Sequence, residues 1–262
     1  MKPKTEELLY LLLWACEMAT RPTFRNLNES FEGWAYRNGF HRQLANLEKQ
    51  RLLETQGASA LDRVHRLTEA GRLLALGGCD PVARWKRRWD GKWRMIVFDV
   101  PQKKASDRVR LRRSLADRGF GYLQDSVWIT PDPLTGERDA LASGPVDVEL
   151  LILLEVRPCA GESDAQIVAG GWDFDAINAG YEHHAEVLSS LPKQPPIDEA
   201  GAGRLYRWFR DERLAWNAAI SLDPMLPQRL HPAGYRGPKA WKRRLEIMAD
   251  AGRQMRSFKS KV

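Results

Sequence analysis

The residues of this sequence best suited to chemistry are long hydrogen-bond donors that repeat at helical spacing near its N-terminus. A helix is predicted over residues 36–51, because Phe40, Leu44 and Leu47 form one apolar stripe. The opposite face carries Asn38, His41, Arg42, Ala45, Asn46 and Lys49. Such donors reach phosphates and purine edges, while a small residue permits close approach to a DNA groove. This pattern is as typical of a solvated amphipathic face as of DNA reading, and the hairpin that follows favours DNA reading.

The flanking residues predict the elements that position this helix. Residues 5–19 predict a first helix, a second follows it, and the extended pieces LLETQ and RVHRLT come after the third. Three helices and then a β-hairpin is the order of a winged helix-turn-helix. We expect the hairpin residues Arg63 and His65 to follow the minor groove or the backbone. The predicted DNA-binding residues are Arg37, Asn38, His41, Arg42, Asn46, Lys49, Arg63 and His65.

The middle of the chain predicts a sheet with a helix on one face. The apolar run WRMIVFD indicates a buried strand, and residues 106–118 have the period of an arginine-rich helix. Gly119 stands where a left-handed residue would end that helix. A hairpin is predicted in GYLQDSVWI, and residues 146–156 supply another buried strand. This order is that of a ferredoxin-like sheet.

Several strings in this region also carry a family resemblance. VFDVP, GFGYL and SVWITP, with the arginine-rich helix between them, resemble the central domain of the PaaX-like transcriptional regulators, the phenylacetate-catabolism repressor family. The piece QDSVW is similar to the small nuclease-like subunit of CRISPR adaptation complexes. WDGKW, WDFD and DPMLP extend the resemblance to the PaaX-like regulators beyond the sheet. This resemblance implies a DNA-binding transcriptional regulator. The sequence has no Gly-rich phosphate loop, catalytic triad or zinc motif, so we expect neither an enzyme nor a cofactor.

Asp99, at the end of the first sheet strand, is the one candidate metal ligand. The CRISPR resemblance implies that an aspartate here binds a divalent metal, and a metal-dependent nuclease is therefore one alternative function. Hard cations require several oxygen ligands, and Asp107 and Asp125 lie in other parts of the predicted sheet domain. We therefore expect Asp99 to hold a turn before Val100-Pro101, with no metal bound. A nucleic-acid-binding adaptor in a defence system is a further alternative.

The last third of the chain is predicted to be mainly helical. Four arginines recur every three residues and predict a positive strip: Arg204, Arg207, Arg210 and Arg213. Such a strip is usually a solvated face. The resemblance implies an acyl-CoA effector, with Arg207 and Arg210 on its phosphates and Trp216 near its adenine or acyl group. Adjacent His183 and His184 point in different directions on a helix, so we expect surface or interface residues and no shared metal.

Composition sets the remaining expectations. A net charge of +7 favours a polyanionic partner. The three cysteines have no metal or redox spacing and none needs to pair, which favours the cytoplasm. The apolar runs are too short to span a membrane. The predicted fold is α+β. We expect the chain to bind an inverted-repeat operator as a homodimer. Its predicted parts are a winged helix-turn-helix at 1–82, a basic and aromatic linker at 83–92, a ferredoxin-like domain at 93–165 and a helical domain at 166–262.

Overall fold

The computed structural model of the protein describes residues 3–16, 41–56, 64–99, 105–134, 150–158 and 160–257. It is a mixed α+β structure. The first elements are α1 (Pro3–Cys16), α2 (His41–Lys49), β1 (Leu53–Gln56), β2 (Val64–Leu67) and α3 (Glu69–Ala75). The two strands pair antiparallel, with Leu53 opposite Leu67. A helix and a hairpin thus lie where the sequence predicts them, while the predicted second helix falls outside the described residues.

The middle of the chain forms a four-stranded antiparallel sheet. Its elements are α4 (Pro81–Lys86), β3 (Trp93–Asp99), α5 (Ala105–Asp117), β4 (Gly121–Gln124), β5 (Val127–Thr130) and β6 (Leu150–Val156). The strand order is β4-β5-β3-β6. Strand β3 lies between β5 and β6, so that Met95 pairs with Ile129 on one side and with Leu154 on the other. WRMIVFD, which the sequence predicts as a buried strand, is therefore an inner strand of the sheet.

Alternation along β3 explains how the sheet is held to α5. Ile96 and Phe98 point to the same face, because side chains two residues apart share a face of a strand. Both are buried in one cluster with Leu111 and Leu115 of α5. Gly119 follows the end of the helix, and its φ of 81° is the left-handed conformation predicted from the sequence.

A buried arginine explains the string WDGKW ahead of β3. The guanidinium of Arg94 is paired with Asp90 and with Glu155, at 3.2 Å from the Glu155 carboxylate. The hydrogen bond from Arg94 lowers the pKa of Asp90 to about 2. Asp90 also accepts the backbone N–H of Lys92 at 3.0 Å, across a turn in which Gly91 has a φ of 77°. The string is therefore a charged turn that fixes the start of the strand.

The C-terminal elements are helical, as predicted. They are α6 (Asp164–Gly171), α7 (Phe174–Ser189), α8 (Glu199–Leu222), a 3-10 turn (Gln228–Leu230) and α9 (Gly237–Ser257). Helix α6 starts with a capping box, in which the Ser163 side chain accepts the Gln166 N–H and the Gln166 side chain accepts the Ser163 N–H. Within the described parts of the chain, no helix is both long and apolar enough to cross a membrane.

The chain divides into two compact units. The N-terminal unit comprises Met1–Asp80, Glu182–Asn217 and Lys239–Val262, and the central unit comprises Pro81–Tyr181 and Ala218–Pro238. The core of the N-terminal unit joins leucines of α1 and α2 to apolar residues of α8 and α9. The C-terminal third therefore contributes residues to both units. The predicted domain boundaries stay a prediction.

Candidate nucleic-acid interface

Helix α2 presents its polar residues to solvent on one side. Leu44 and Leu47 are buried in the core that contains the leucines of α1. Arg42, Asn46 and Lys49 are exposed. Their spacing of four and then three residues places them on one side of the helix, opposite the two leucines. This arrangement presents long donors outward from a helix that is anchored from behind.

The other predicted DNA-binding residues are described less completely. His41 is the first residue of α2, and His65 lies in β2 opposite Thr55. Arg37, Asn38 and Arg63 lie outside the described residues. The predicted interface is therefore represented by the exposed side of α2 and by the backbone of the hairpin β1–β2.

A tight turn fixes the hairpin to the end of α2. The N–H of Leu52 bonds to the carbonyl of Leu47 at 2.9 Å, and Arg51 between them has a left-handed φ of 57°. The carbonyl of Leu52 then accepts the N–H of Thr68 at 3.1 Å. Thr68 in turn accepts the N–H of Gly71 and donates to the Arg51 carbonyl, at 3.0 and 2.9 Å. Helix α2, β1 and α3 are thus joined within a few residues.

The predicted effector strip is split by burial. Arg204, Arg207 and Arg210 are exposed on α8, and Arg210 bonds to the neighbouring Asp211 at 3.1 Å. Arg213 is 7% exposed and pairs with Glu6 of α1 at 3.3 Å, so the prediction that it extends the strip is wrong. A step of three residues rotates a helix by about 300°, which is about 60° short of a full turn. The successive rotations carry Arg213 into the core.

Two aromatic or imidazole side chains of the same unit are also buried. Trp216 is 0% exposed, and its ring lies 5.1 Å from the ring of His184. His184 is likewise 0% exposed, so the prediction of a surface or interface residue is wrong for it. The reason is a long-range partner, since His184 Nε2 lies 2.8 Å from Glu212 Oε1. His183 beside it is exposed, as predicted.

The basic linker is tied down within the central unit. Arg84 and Arg87 both bond to Asp132, at 3.2 and 2.6 Å. Trp85 is buried and donates its indole N–H to the Tyr235 hydroxyl at 2.8 Å. Trp89 packs on Trp93 with ring centroids 5.3 Å apart. Both tryptophans therefore pack within the central unit, while Lys86 and Arg88 are exposed.

Asp223, in the string DPMLP, organises a buried turn that the sequence does not reveal. Its carboxylate accepts the hydroxyls of Tyr181, at 2.5 Å, and of Tyr235. It also accepts the N–H of Met225 at 2.7 Å, and Met225 has a left-handed φ of 47°. Burial raises the pKa of Asp223, although these hydrogen bonds oppose the rise. Because Tyr235 also holds Trp85, the carboxylate stabilises the packing of the linker helix α4.

Asp99 has the position predicted from the sequence. It is the last residue of β3, is exposed, and pairs across the sheet with Leu150 of β6. Among the described residues, no group of three or more His, Cys, Asp or Glu side chains is arranged to hold a metal ion. The turn predicted after Asp99 begins at residue 100, outside the described residues.

Comparison with known proteins supports part of the sequence interpretation. Residues 86–168 match the PaaX protein central Cas2-like domain, which confirms the predicted resemblance over those residues. The solved structure of the uncharacterized protein Rv0674 from Mycobacterium tuberculosis is similar over 95% of each chain, with 20% sequence identity and a TM-score of 0.53. At that identity the similarity concerns the fold alone. No curated protein matches the chain.

Proposed function

We propose that this chain, whose residues 86–168 match the central domain of PaaX proteins, is a PaaX-type transcriptional regulator that binds double-stranded DNA. The single observation that carries the proposal is the geometry of α2. Leu44 and Leu47 anchor the helix, while Arg42, Asn46 and Lys49 project from its other side. A recognition helix has this division, since its donors must reach base edges while its back packs on the domain.

The order of elements supports the finer parts of the proposal. Helix α2 is followed directly by the hairpin β1–β2, as a recognition helix is by its wing in a winged helix-turn-helix. The sheet order β4-β5-β3-β6, with α5 between β3 and β4 in the chain, supports the assignment of a ferredoxin-like domain. We assign the first arrangement to DNA binding and the second to assembly of a homodimer in the cytoplasm.

An acyl-CoA effector that releases a repressor from DNA is the proposed mode of regulation. The exposed guanidinium groups of Arg207 and Arg210 are suited to the phosphates of such a ligand. Because Trp216 is fully buried, the proposal places no ligand contact on its ring. The protein carries no catalytic role in this account and uses no cofactor.

A gel-shift experiment tests the function. The full chain is incubated with the DNA upstream of its own gene, with and without phenylacetyl-CoA and magnesium. A regulator gives a sequence-specific shift that the thioester reverses and that magnesium leaves unchanged. DNA cleavage that requires magnesium and is lost in the Asp99→Asn variant would instead establish the nuclease alternative. A specific shift that phenylacetyl-CoA leaves unchanged would favour the nucleic-acid-binding adaptor.

A further inference from the structure

Four fully buried polar side chains meet inside the N-terminal unit. Glu212 of α8 accepts hydrogen bonds from Arg244 of α9, with 2.8 Å between Nε and Oε1, and from the hydroxyl of Tyr10 of α1. His184 of α7 lies 2.8 Å from the same oxygen of Glu212. Arg244 closes the group, because its Nη2 donates to the Tyr10 hydroxyl at 2.7 Å. We call Tyr10, His184, Glu212 and Arg244 the buried network.

Aromatic rings enclose the guanidinium of this network. The Arg244 Cζ lies 4.2 Å from the ring centroid of Trp216 and 5.3 Å from that of Trp14. The rings of Trp241 and Tyr10 lie 5.5 and 5.6 Å away. Rings at these distances stabilise a cation through their negative faces. The charge of Arg244 is therefore compensated by π-faces as well as by the Glu212 carboxylate.

Both members of the ion pair stay charged. Burial alone would raise the pKa of Glu212, but the charge of Arg244 and the hydrogen bond of His184 outweigh it and lower this pKa to about 2. Burial alone would lower the pKa of Arg244, and the Glu212 carboxylate raises it instead. The network therefore contains a carboxylate and a guanidinium that are wholly removed from water.

Stability is a poor reason for such an arrangement. A buried ion pair often contributes no more than apolar side chains of the same volume, because desolvation offsets the attraction. Among the described residues, Arg244 Nη1 and His184 Nδ1 also have no hydrogen-bond partner. Any displacement within the buried network would leave a buried charge without its partner. The network therefore fixes one geometry more strongly than it stabilises the fold.

The element that this geometry fixes is α1. Tyr10 is 2% exposed and bonds to residues more than 200 positions later in the chain. The leucines of α1 share their core with Leu44 and Leu47 of α2. Packed leucines therefore connect the helix that carries Tyr10 to the helix that presents Arg42 and Lys49.

We infer that Glu212 and Arg244 are positioning residues for DNA binding, which act through Tyr10 to set the orientation of α2. This inference rests on the proposed function, and it adds a direction to the regulation. Helix α8 carries exposed Arg207 on its surface and Glu212 on its buried side. A ligand that moves α8 would therefore move the partner of Tyr10 and so change the affinity for DNA.

The variant Tyr10→Phe tests the inference, because it removes only the hydroxyl and keeps the ring in the core. The control is Tyr206→Phe, which removes a hydroxyl that bonds to Glu7 of α1 at 2.7 Å but lies outside the network. A second test variant carries Glu212→Gln with Arg244→Met, so that neither charge is stranded. Each protein is measured by hydrogen exchange of the α1 and α2 amides and by affinity for the upstream DNA and for a scrambled fragment.

We expect Tyr10→Phe and the double variant to bind the upstream DNA roughly 3- to 30-fold more weakly, with affinity for scrambled DNA unchanged. Exchange in α1 and α2 should become faster in both variants and stay as in wild type in Tyr206→Phe. Equal exchange in Tyr10→Phe and Tyr206→Phe would overturn the inference, whatever the DNA result. If wild type shows no specific DNA binding, the proposed function fails, and the exchange data alone decide the role of the network.

Discussion

At the scale of single side chains, the proposed DNA contacts rest on residues that do little for the fold. Arg42 is exposed on α2, one turn away from Asn46, and its neighbours Leu44 and Leu47 make the contacts with the core. Binding and stability are therefore carried by different residues of one short helix. Substitutions on its outer side can be interpreted as changes in recognition.

Arg42→Ala is expected to weaken specific DNA binding by about 1–3 kcal/mol, the usual range for one good base contact. Thermal unfolding should hardly change, because the side chain is exposed. The measurement is a binding titration with the upstream DNA at fixed salt. Arg253→Ala, an exposed arginine near the end of α9, is the control for the loss of one positive charge. Equal affinities for the two variants would contradict the role of α2.

The low pKa of the Glu212 carboxyl predicts that the protein loses stability in acid. Its pKa is about 2 in the native protein and near 4.5 in an unfolded chain. Because the native pKa is the lower one, the unfolded chain binds the proton first as pH falls from about 4.5 to about 2, and native stability is lost over that window. Above it the contribution is complete.

Urea unfolding at about pH 6 and about pH 3 measures this contribution. The wild type should lose about 2 kcal/mol more between the two pH values than the variant that combines Glu212→Gln with Arg244→Met. The double variant is the matched comparison, since it keeps the volume of the site and lacks the titrating carboxyl. Parallel losses in the two proteins would show that Glu212 does not titrate as described.

At the scale of elements, the hairpin is held against α3 by a close backbone approach. A Cβ atom on Gly71 would lie 2.0 Å from the carbonyl oxygen of Leu52, the same oxygen that accepts the Thr68 N–H. The nearest atoms to this Cβ all belong to the backbone of Leu52, so no flexible side chain can move away. The position therefore requires glycine for lack of space.

Gly71→Ala is expected to destabilise the protein by about 3 kcal/mol, since the hairpin must move away from α3. Gly203→Ala on α8 is the control, because a Cβ there meets only the end of Arg207, at 3.7 Å. That change should be neutral or stabilise by up to about 1 kcal/mol, as alanine favours a helix. Denaturant titrations give both values, and similar stabilities for the two variants would contradict the close approach.

Elements of this protein can be predicted from the sequence wherever the signal is local. Periodicity and a terminal glycine suffice for α5 and Gly119, and an apolar run suffices for β3. The buried network cannot be predicted in this way, because Tyr10 and Glu212 are 202 positions apart and each looks like an ordinary helix residue. His184 was misplaced for the same reason. The candidate DNA-binding side of α2 follows from a local sequence pattern and can be predicted. Its support from α8 and α9 depends on residues far apart in the chain and cannot.

At the scale of the whole molecule, DNA recognition predicts a symmetric assembly. A single winged helix, as proposed here, would read only a few base pairs, so specific recognition would require two copies on two half-sites. We expect light scattering of the full chain at micromolar concentration to give a dimer. Footprinting should show two protected half-sites in inverted orientation. A monomer that protects a single half-site would contradict the symmetric account.

The proposed function depends on specific binding of double-stranded DNA through α2. A competition titration at one salt concentration tests it most directly, with labelled upstream DNA displaced by unlabelled upstream DNA or by a scrambled fragment of equal length. We expect the upstream DNA to compete at least about 1,000-fold better, and Arg42→Ala to reduce this ratio. Equal competition by the two fragments, unchanged by Arg42→Ala, would contradict specific binding through α2.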